Sequence, residues 1–357
     1  MRAVFCIAES LLFFLDFASV LCYDRSIRII TGGRNMKNLN CRSCGGTMLI
    51  DPSGTTAHCP YCSAEYVLDH QDTDYYRAFY ARMKGFFGLS ADGQERRRRA
   101  DELWKQAEQE TFLCSDGKQI NIASLHRFSD RAATVYIARQ SVIFRFESDR
   151  TELAEKYRKA ISMLDYPSAD TRNLAQFFPS VTGGFTLSDG SVLLAIKKSE
   201  DAYPLRLFGT LTGRHAAWLV GRMENLCCVL EYSSIVHPDF GIDALYIDPY
   251  DHQASLCGGW WNAVRNHTAV NGRVLTTRDN LKALRETAAQ MLGFPHAAAA
   301  AETDGVPKPF ADFLRSEPES NAYDDFAKWD EVLIQSYGER RFISMDTDDE
   351  QIYGKGK

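Results

Sequence analysis

The sequence predicts an α+β fold in which a small four-cysteine module precedes a bilobal unit, strands in its first lobe and helices in its second. Three observations lead there. Two Cys-x-x-Cys pairs, Cys41/Cys44 and Cys59/Cys62, are separated by fourteen residues. Short β-type runs cluster between Gln119 and Lys197. From His215 onward apolar residues recur at helical spacing, as in Leu219, Met223, Leu226, Cys227 and Leu230. Strands first and helices afterwards is the order of an α+β chain, not of an alternating one.

With 357 residues and 45% apolar side chains the chain can bury a large core. Its net charge of -6 disfavours a protein built to coat nucleic acid or anionic membrane, so a nucleic-acid role would have to be local. Six of the ten cysteines (Cys6, Cys22, Cys114, Cys227, Cys228, Cys257) show no disulfide-like spacing, which fits a reducing, cytoplasmic compartment. Ala3 to Cys22 is apolar but carries Glu9 and Asp16, with a single Arg2 as basic flank. Residues 1–35 therefore read either as a leader or as a segment ahead of a true start at Met36, and no stable membrane insertion is expected.

The cysteine module spans residues 39–68. Two thiolate pairs at this spacing close a tetrahedral zinc site, and since protein ligands fill all four positions the zinc is structural. Gly45, Gly46 and Pro60 supply the tight turns, and His58 reads as a neighbour of the site. The module resembles the small zinc ribbons at the front of many bacterial multidomain proteins, which bind protein or nucleic acid. Residues 69–118 read as a helical linker, with a helix over Gln94 to Glu110 that Asp92 would cap. Its Arg96 to Arg99 run is interleaved with acids and predicts a solvated face.

Residues 119–202 predict strands at Ile120 to Ala123, Ala133 to Ala138 and Ser141 to Phe146, then a helix at Glu152 to Leu164. A hairpin follows, Gly184 to Leu187 and Val192 to Lys197, around Ser188-Asp189-Gly190. Residues 203–345 predict a long helix at His215 to Leu230, a strand at Leu245 to Asp248, and helices at Asp279 to Leu292, Phe310 to Leu314 and Ala322 to Tyr337. Ala297 to Ala301 opens a linker, and 346–357 reads as an acidic, flexible tail.

His237-Pro238-Asp239 follows the long helix. A J-domain uses such a tripeptide, but between a basic helix and a second helix, whereas here Glu224 and Glu231 precede it and a strand follows. From about residue 119 to 345 the chain resembles instead the protein-kinase fold, in which a long helix leads to a His-Arg-Asp loop, a short hairpin and Asp-Phe-Gly. Ser234 to Asp239 is similar to that loop, and Ala254 to Trp260 to the strand and metal-binding turn after it. The resemblance implies Asp239 as a vestigial base, Gly258 in place of the metal-binding aspartate, and Ala244 in place of the second magnesium ligand. It implies Arg145 in place of the phosphate-binding lysine, Tyr157 near that lysine's glutamate partner, and Asn280 where a later helix carries a buried aspartate. Lys197 lies too close to Asp239 to be the lysine and reads as the strand leading into the hinge at Tyr203-Pro204-Leu205. No glycine occurs from Lys118 to Thr182, so no glycine loop is available to cover phosphates.

The sequence leaves open whether ATP and magnesium still bind, and the resemblance implies a pseudokinase acting as scaffold or allosteric regulator of a protein partner. Two rivals stand beside it. One is an atypical phosphotransferase using Asp239 with Asp243 or Asp248 as displaced metal ligand; the other binds nucleic acid through the ribbon and the Arg96 to Arg99 helix. Trp260-Trp261 reads as a plug of the emptied site, a partner surface, or core packing.

Overall fold

A computed structural model describes residues 48–50, 56–58, 65–67, 91–130, 132–168, 170–250, 252–338, 345 and 347–354. The chain divides into two compact units, one spanning Ala18–Asp101 and the other containing Glu102–Lys357. In the first, β1 (Leu49–Ile50), β2 (Thr56–His58) and β3 (Glu65–Val67) form an antiparallel sheet, Leu49 opposite His58 and Thr56 opposite Val67. Met48 and Ala57 are buried.

Helix α1 (Ala91–Lys105) ends before the predicted Glu110, and Asp92 lies inside it instead of capping it. Arg97, Arg98 and Arg99 are exposed, with Arg98 paired to Glu95. Glu108–Leu113, expected to belong to a helical linker, is strand β4. It pairs antiparallel with β5 (Gln119–Ser124), Phe112 opposite Ile120, because Phe112 and Ile122 need a common apolar face to bury.

The main sheet runs β6 (His126–Ser129), β7 (Thr134–Ile137), β8 (Ser141–Phe146), β10 (Val192–Lys197), β9 (Val181–Thr186), antiparallel throughout. Alternation divides β8: Val142, Phe144 and Phe146 are buried, while Ser141, Ile143 and Arg145 point to the other face. The first face packs on helix α2 (Glu152–Ile161) through Ala154, Tyr157 and Ala160. The second face, with Tyr136 and Leu193, is covered by the β4–β5 hairpin.

The connection to the helical half contains β11 (Tyr203–Pro204), which pairs with β13 (Leu245–Asp248). Helix α3 (Gly213–Tyr232) forms the centre of the core, its N-cap Thr212 accepting from the His215 N–H. After it come β12 (Ile235–Val236), β13, β14 (Gln253–Leu256) and the turn Trp260–Asn262. β15 (Val264–Arg265) returns to pair with β12. β16 (Thr268–Val270) and β17 (Arg273–Leu275) then make a hairpin whose central Asn271 and Gly272 have φ of 52° and 79°, the backbone a type I′ turn requires. The Arg273 guanidinium pairs with Asp279 at the start of helix α4 (Arg278–Met291).

Helices α5 (Lys308–Arg315) and α6 (Ala322–Tyr337) pack on α3 and α4 around a buried ion pair. Both Arg285 terminal nitrogens reach the Asp325 carboxylate at 2.8 Å. Glu224 lies fully buried beside this pair, and burial together with the Asp325 charge pushes its carboxyl well above the usual range. The residues expected to form a flexible acidic tail include helix α7 (Asp349–Tyr353), in which Asp349 and Ile352 are buried. Among the described residues no helix is long and apolar enough to cross a membrane.

Candidate functional site

The His237-Pro238-Asp239 loop is held from below by Asn280. Its side-chain oxygen accepts from the His237 backbone N–H at 2.8 Å, and its amide nitrogen donates to the Ile235 carbonyl at 2.9 Å. Asn280 therefore does occupy the buried position expected of it. Nε2 of His237 lies 3.0 Å from the Gly258 carbonyl. A carbonyl only accepts, so Nε2 carries the proton. Burial lowers the His237 pKa to about 4 and keeps the ring neutral.

Asp239 accepts from the Asn262 amide at 2.8 Å. Burial raises its pKa, and the Asp130 and Asp243 carboxylates add to that shift. Asp130 sits in the β6–β7 turn, where a phosphate-covering loop would need glycines. Its side chain instead accepts from the N–H groups of Ala132 and Ala133, both at 2.7 Å, which spends those amides within the turn. The side of the site where phosphates would lie is thus acidic.

Gly258 and Ala244, which the resemblance matches to the two magnesium ligands, carry no ligand atom in their side chains. The N–H groups of Cys257 and Gly258 both donate to the Ala244 carbonyl, drawing Gly258 onto Ala244. A Cβ on Gly258 would lie 2.9 Å from the Ala244 Cα and 3.0 Å from the Asp243 carbonyl oxygen. No side chain fits there without moving backbone. Gly259 has φ of 74°, and a Cβ on it would stand 2.6 Å from the Asp239 Cβ. Asp243, one of the two displaced-ligand candidates, pairs with Arg206 at 3.2 Å, and Asp248 accepts from the Tyr250 N–H at 3.0 Å.

A lysine that meets a glutamate on α2 must project from the α2 face of β8. Arg145, matched by the resemblance to the phosphate-binding lysine, lies on the face of β8 away from α2. There its guanidinium binds Asp189 at 2.8 Å and Ser191 at 3.3 Å and lies over the Phe112 ring. Phe144 and Phe146 face α2 instead. Trp261 sits between them and Tyr157, its ring 5.4 Å from Phe144, 5.5 Å from Phe146 and 6.1 Å from Tyr157. The Tyr157 hydroxyl donates to the Cys257 carbonyl at 2.6 Å. Trp260 is fully buried, donates to the Leu256 carbonyl at 2.9 Å and meets the His237 ring edge-on. Among the described residues, the α2 face of the sheet is packed by the rings of Phe144, Phe146, Tyr157 and Trp261, where the kinase resemblance would place a nucleotide.

Lys197 ends β10, as expected. Cys41, Cys44, Cys59 and Cys62, expected to hold zinc, lie outside the described residues, among which no group of three or more His, Cys, Asp or Glu side chains could hold a metal ion. Sequence reasoning missed Asn262 as the partner of Asp239 and Phe144 and Phe146 as partners of Trp261. The alternation along β8 carried the signal for the two phenylalanines; nothing local marked Asn262.

No family model matches the chain, and no curated protein matches it. Among solved structures it is similar to the ROP18 kinase domain in complex with AMP-PNP and sucrose, at 12% identity and TM-score 0.44 over 70% of this chain and 91% of that one. It is similar to vaccinia related kinase 3 at 13% identity and TM-score 0.45, over 63% and 91%. It is also similar to ROP2 from Toxoplasma gondii, described as a virulence factor with a protein-kinase fold and no enzymatic activity, at 10% identity and TM-score 0.45, over 64% and 85%.

Proposed function

We propose that this chain is a protein-kinase-like pseudokinase preceded by a zinc ribbon, and that it acts as a scaffold or allosteric regulator of a protein partner. The seating of Trp261 between Phe144, Phe146 and Tyr157 carries the reading. The loop, hairpin and turn order of the kinase resemblance is kept around Asp239, but the space between sheet and turn is occupied by the chain's own side chains. Phosphoryl transfer depends on positioning and on metal charge, and Asp239 alone supplies neither. Cys41, Cys44, Cys59 and Cys62 would hold the structural zinc, with no catalytic duty.

Thermal unfolding of the zinc-loaded protein with and without saturating ATP and magnesium or manganese tests the reading. Ligand at a hundred times its dissociation constant would stabilise the fold by about 2.7 kcal/mol. The expected result is no shift. A metal-dependent rise would overturn the filled site and favour phosphotransfer through Asp239, to be checked with Asp239→Ala.

A further inference from the structure

Asp349 ties together two distant parts of the larger unit. One of its carboxylate oxygens accepts from the Tyr203 hydroxyl at 2.6 Å, the other from the Trp104 indole N–H at 2.6 Å. The Tyr353 ring stands near both partners, 6.3 Å from Trp104 and 5.7 Å from Tyr203. Asp348 caps the segment by accepting from the Gln351 N–H, and the Tyr250 hydroxyl donates to the Thr347 carbonyl. Tyr203 lies in β11, within the connection between the sheet half and the helical half. Trp104 closes the helix just before β4. Lys198, at the start of the same connection, donates to the carbonyls of Arg139, Ser199 and Glu200.

A five-residue helix does not persist on its own, because nucleation costs more than so few hydrogen bonds return. α7 therefore exists only while docked. Its docking rests on one carboxylate shared between two neutral donors, on the Tyr250–Thr347 hydrogen bond and on the apolar packing of Ile352 and Tyr353, a small set of contacts beside those that hold the core around α3. We infer that residues 347–354 form a detachable clasp that stiffens the connection between the two halves, and that its release is a local opening step separate from unfolding. The inference rests on these contacts and not on the state of the nucleotide site.

Hydrogen exchange on the full chain tests it. In the wild type, amides of Ile352 to Gly354 should exchange at least a hundredfold faster than those in the middle of α3. Asp349→Ala should raise exchange in the clasp and in residues 199–208 together by about tenfold or more, leaving α3 unchanged; tenfold is what one hydrogen bond to a charged acceptor is worth. Tyr203→Phe removes one donor while keeping the ring, and should give the same pattern at smaller amplitude even if Asp349→Ala folds poorly. Clasp amides that exchange only at the rate of the core, or a connection unmoved in Tyr203→Phe, would overturn the inference.

Discussion

Gly258→Asp, which puts a carboxylate where the kinase resemblance expects a metal ligand, should weaken this protein. The first added atom would lie 2.9 Å from the Ala244 Cα, and that neighbour is backbone clamped by two hydrogen bonds from Cys257 and Gly258 to the Ala244 carbonyl. Overpacking of this kind costs about 1–3 kcal/mol. The carboxylate would then be held near Asp239 and Asp243 without a donor, adding about 1–3 kcal/mol more. A total of roughly 2–6 kcal/mol lowers Tm by roughly 4–24 °C at about 2–4 °C per kcal/mol. Differential scanning fluorimetry on wild type, Gly258→Ala and Gly258→Asp, each with and without ATP and magnesium, measures it. Gly258→Ala should already show the steric part. A Gly258→Asp protein with wild-type Tm that gains a magnesium-dependent nucleotide shift would refute the packing argument.

Three further outcomes are expected. Trp261→Ala removes a ring packed against Phe144, Phe146 and Tyr157 and should cost about 3–5 kcal/mol in denaturant unfolding; a loss under 1 kcal/mol would mean that the ring is not holding the lobes. His237, with a folded pKa of about 4 against 6.5 in the unfolded chain, favours folding fully above pH 6.5. Because the unfolded state takes up the proton first, about 3 kcal/mol is lost as pH falls from 6.5 through 4. Histidine NMR should show a resonance whose midpoint lies near 4, and one titrating near 6.5 would remove the effect. Arg285→Met strands a buried carboxylate at Asp325 and should destabilise by about 3–5 kcal/mol, whereas the double change Arg285→Met with Asp325→Leu should recover much of that loss.

Much of the fold was legible because burial and period agree. Ser141–Phe146, Leu245–Asp248 and Ala322–Tyr337 fall where alternation or helical spacing places them. The helix predicted to run through Glu110 failed for a tertiary reason: Glu108–Leu113 has a pairing partner in Gln119–Ser124, and pairing overrides helix propensity. At the site, the losses at Gly258 and Ala244 were readable as residue types, but their consequence was not. Only coordinates show Gly258 pressed on the Ala244 backbone. Rank along the strand puts Arg145 at the lysine position, whereas alternation turns it to the face away from α2. Asp349 was invisible for another reason, since its partners Trp104 and Tyr203 lie 245 and 146 residues away in sequence.

The hairpin Thr268–Leu275 has a consequence for how this protein can carry a signal. In the kinase-like reading proposed above, a segment at this point would transmit information by having two states, one ordered and one not, with a ligand or a phosphate choosing between them. Here β15 is sewn to β12, Asn271-Gly272 closes the turn with the backbone it needs, and Asp279 binds both Arg273 and the N–H and hydroxyl of Thr276. The segment is already at rest in one arrangement. Under the scaffold role proposed above, a segment held this way would serve as a landmark, one fixed relief of side chains for a partner to meet.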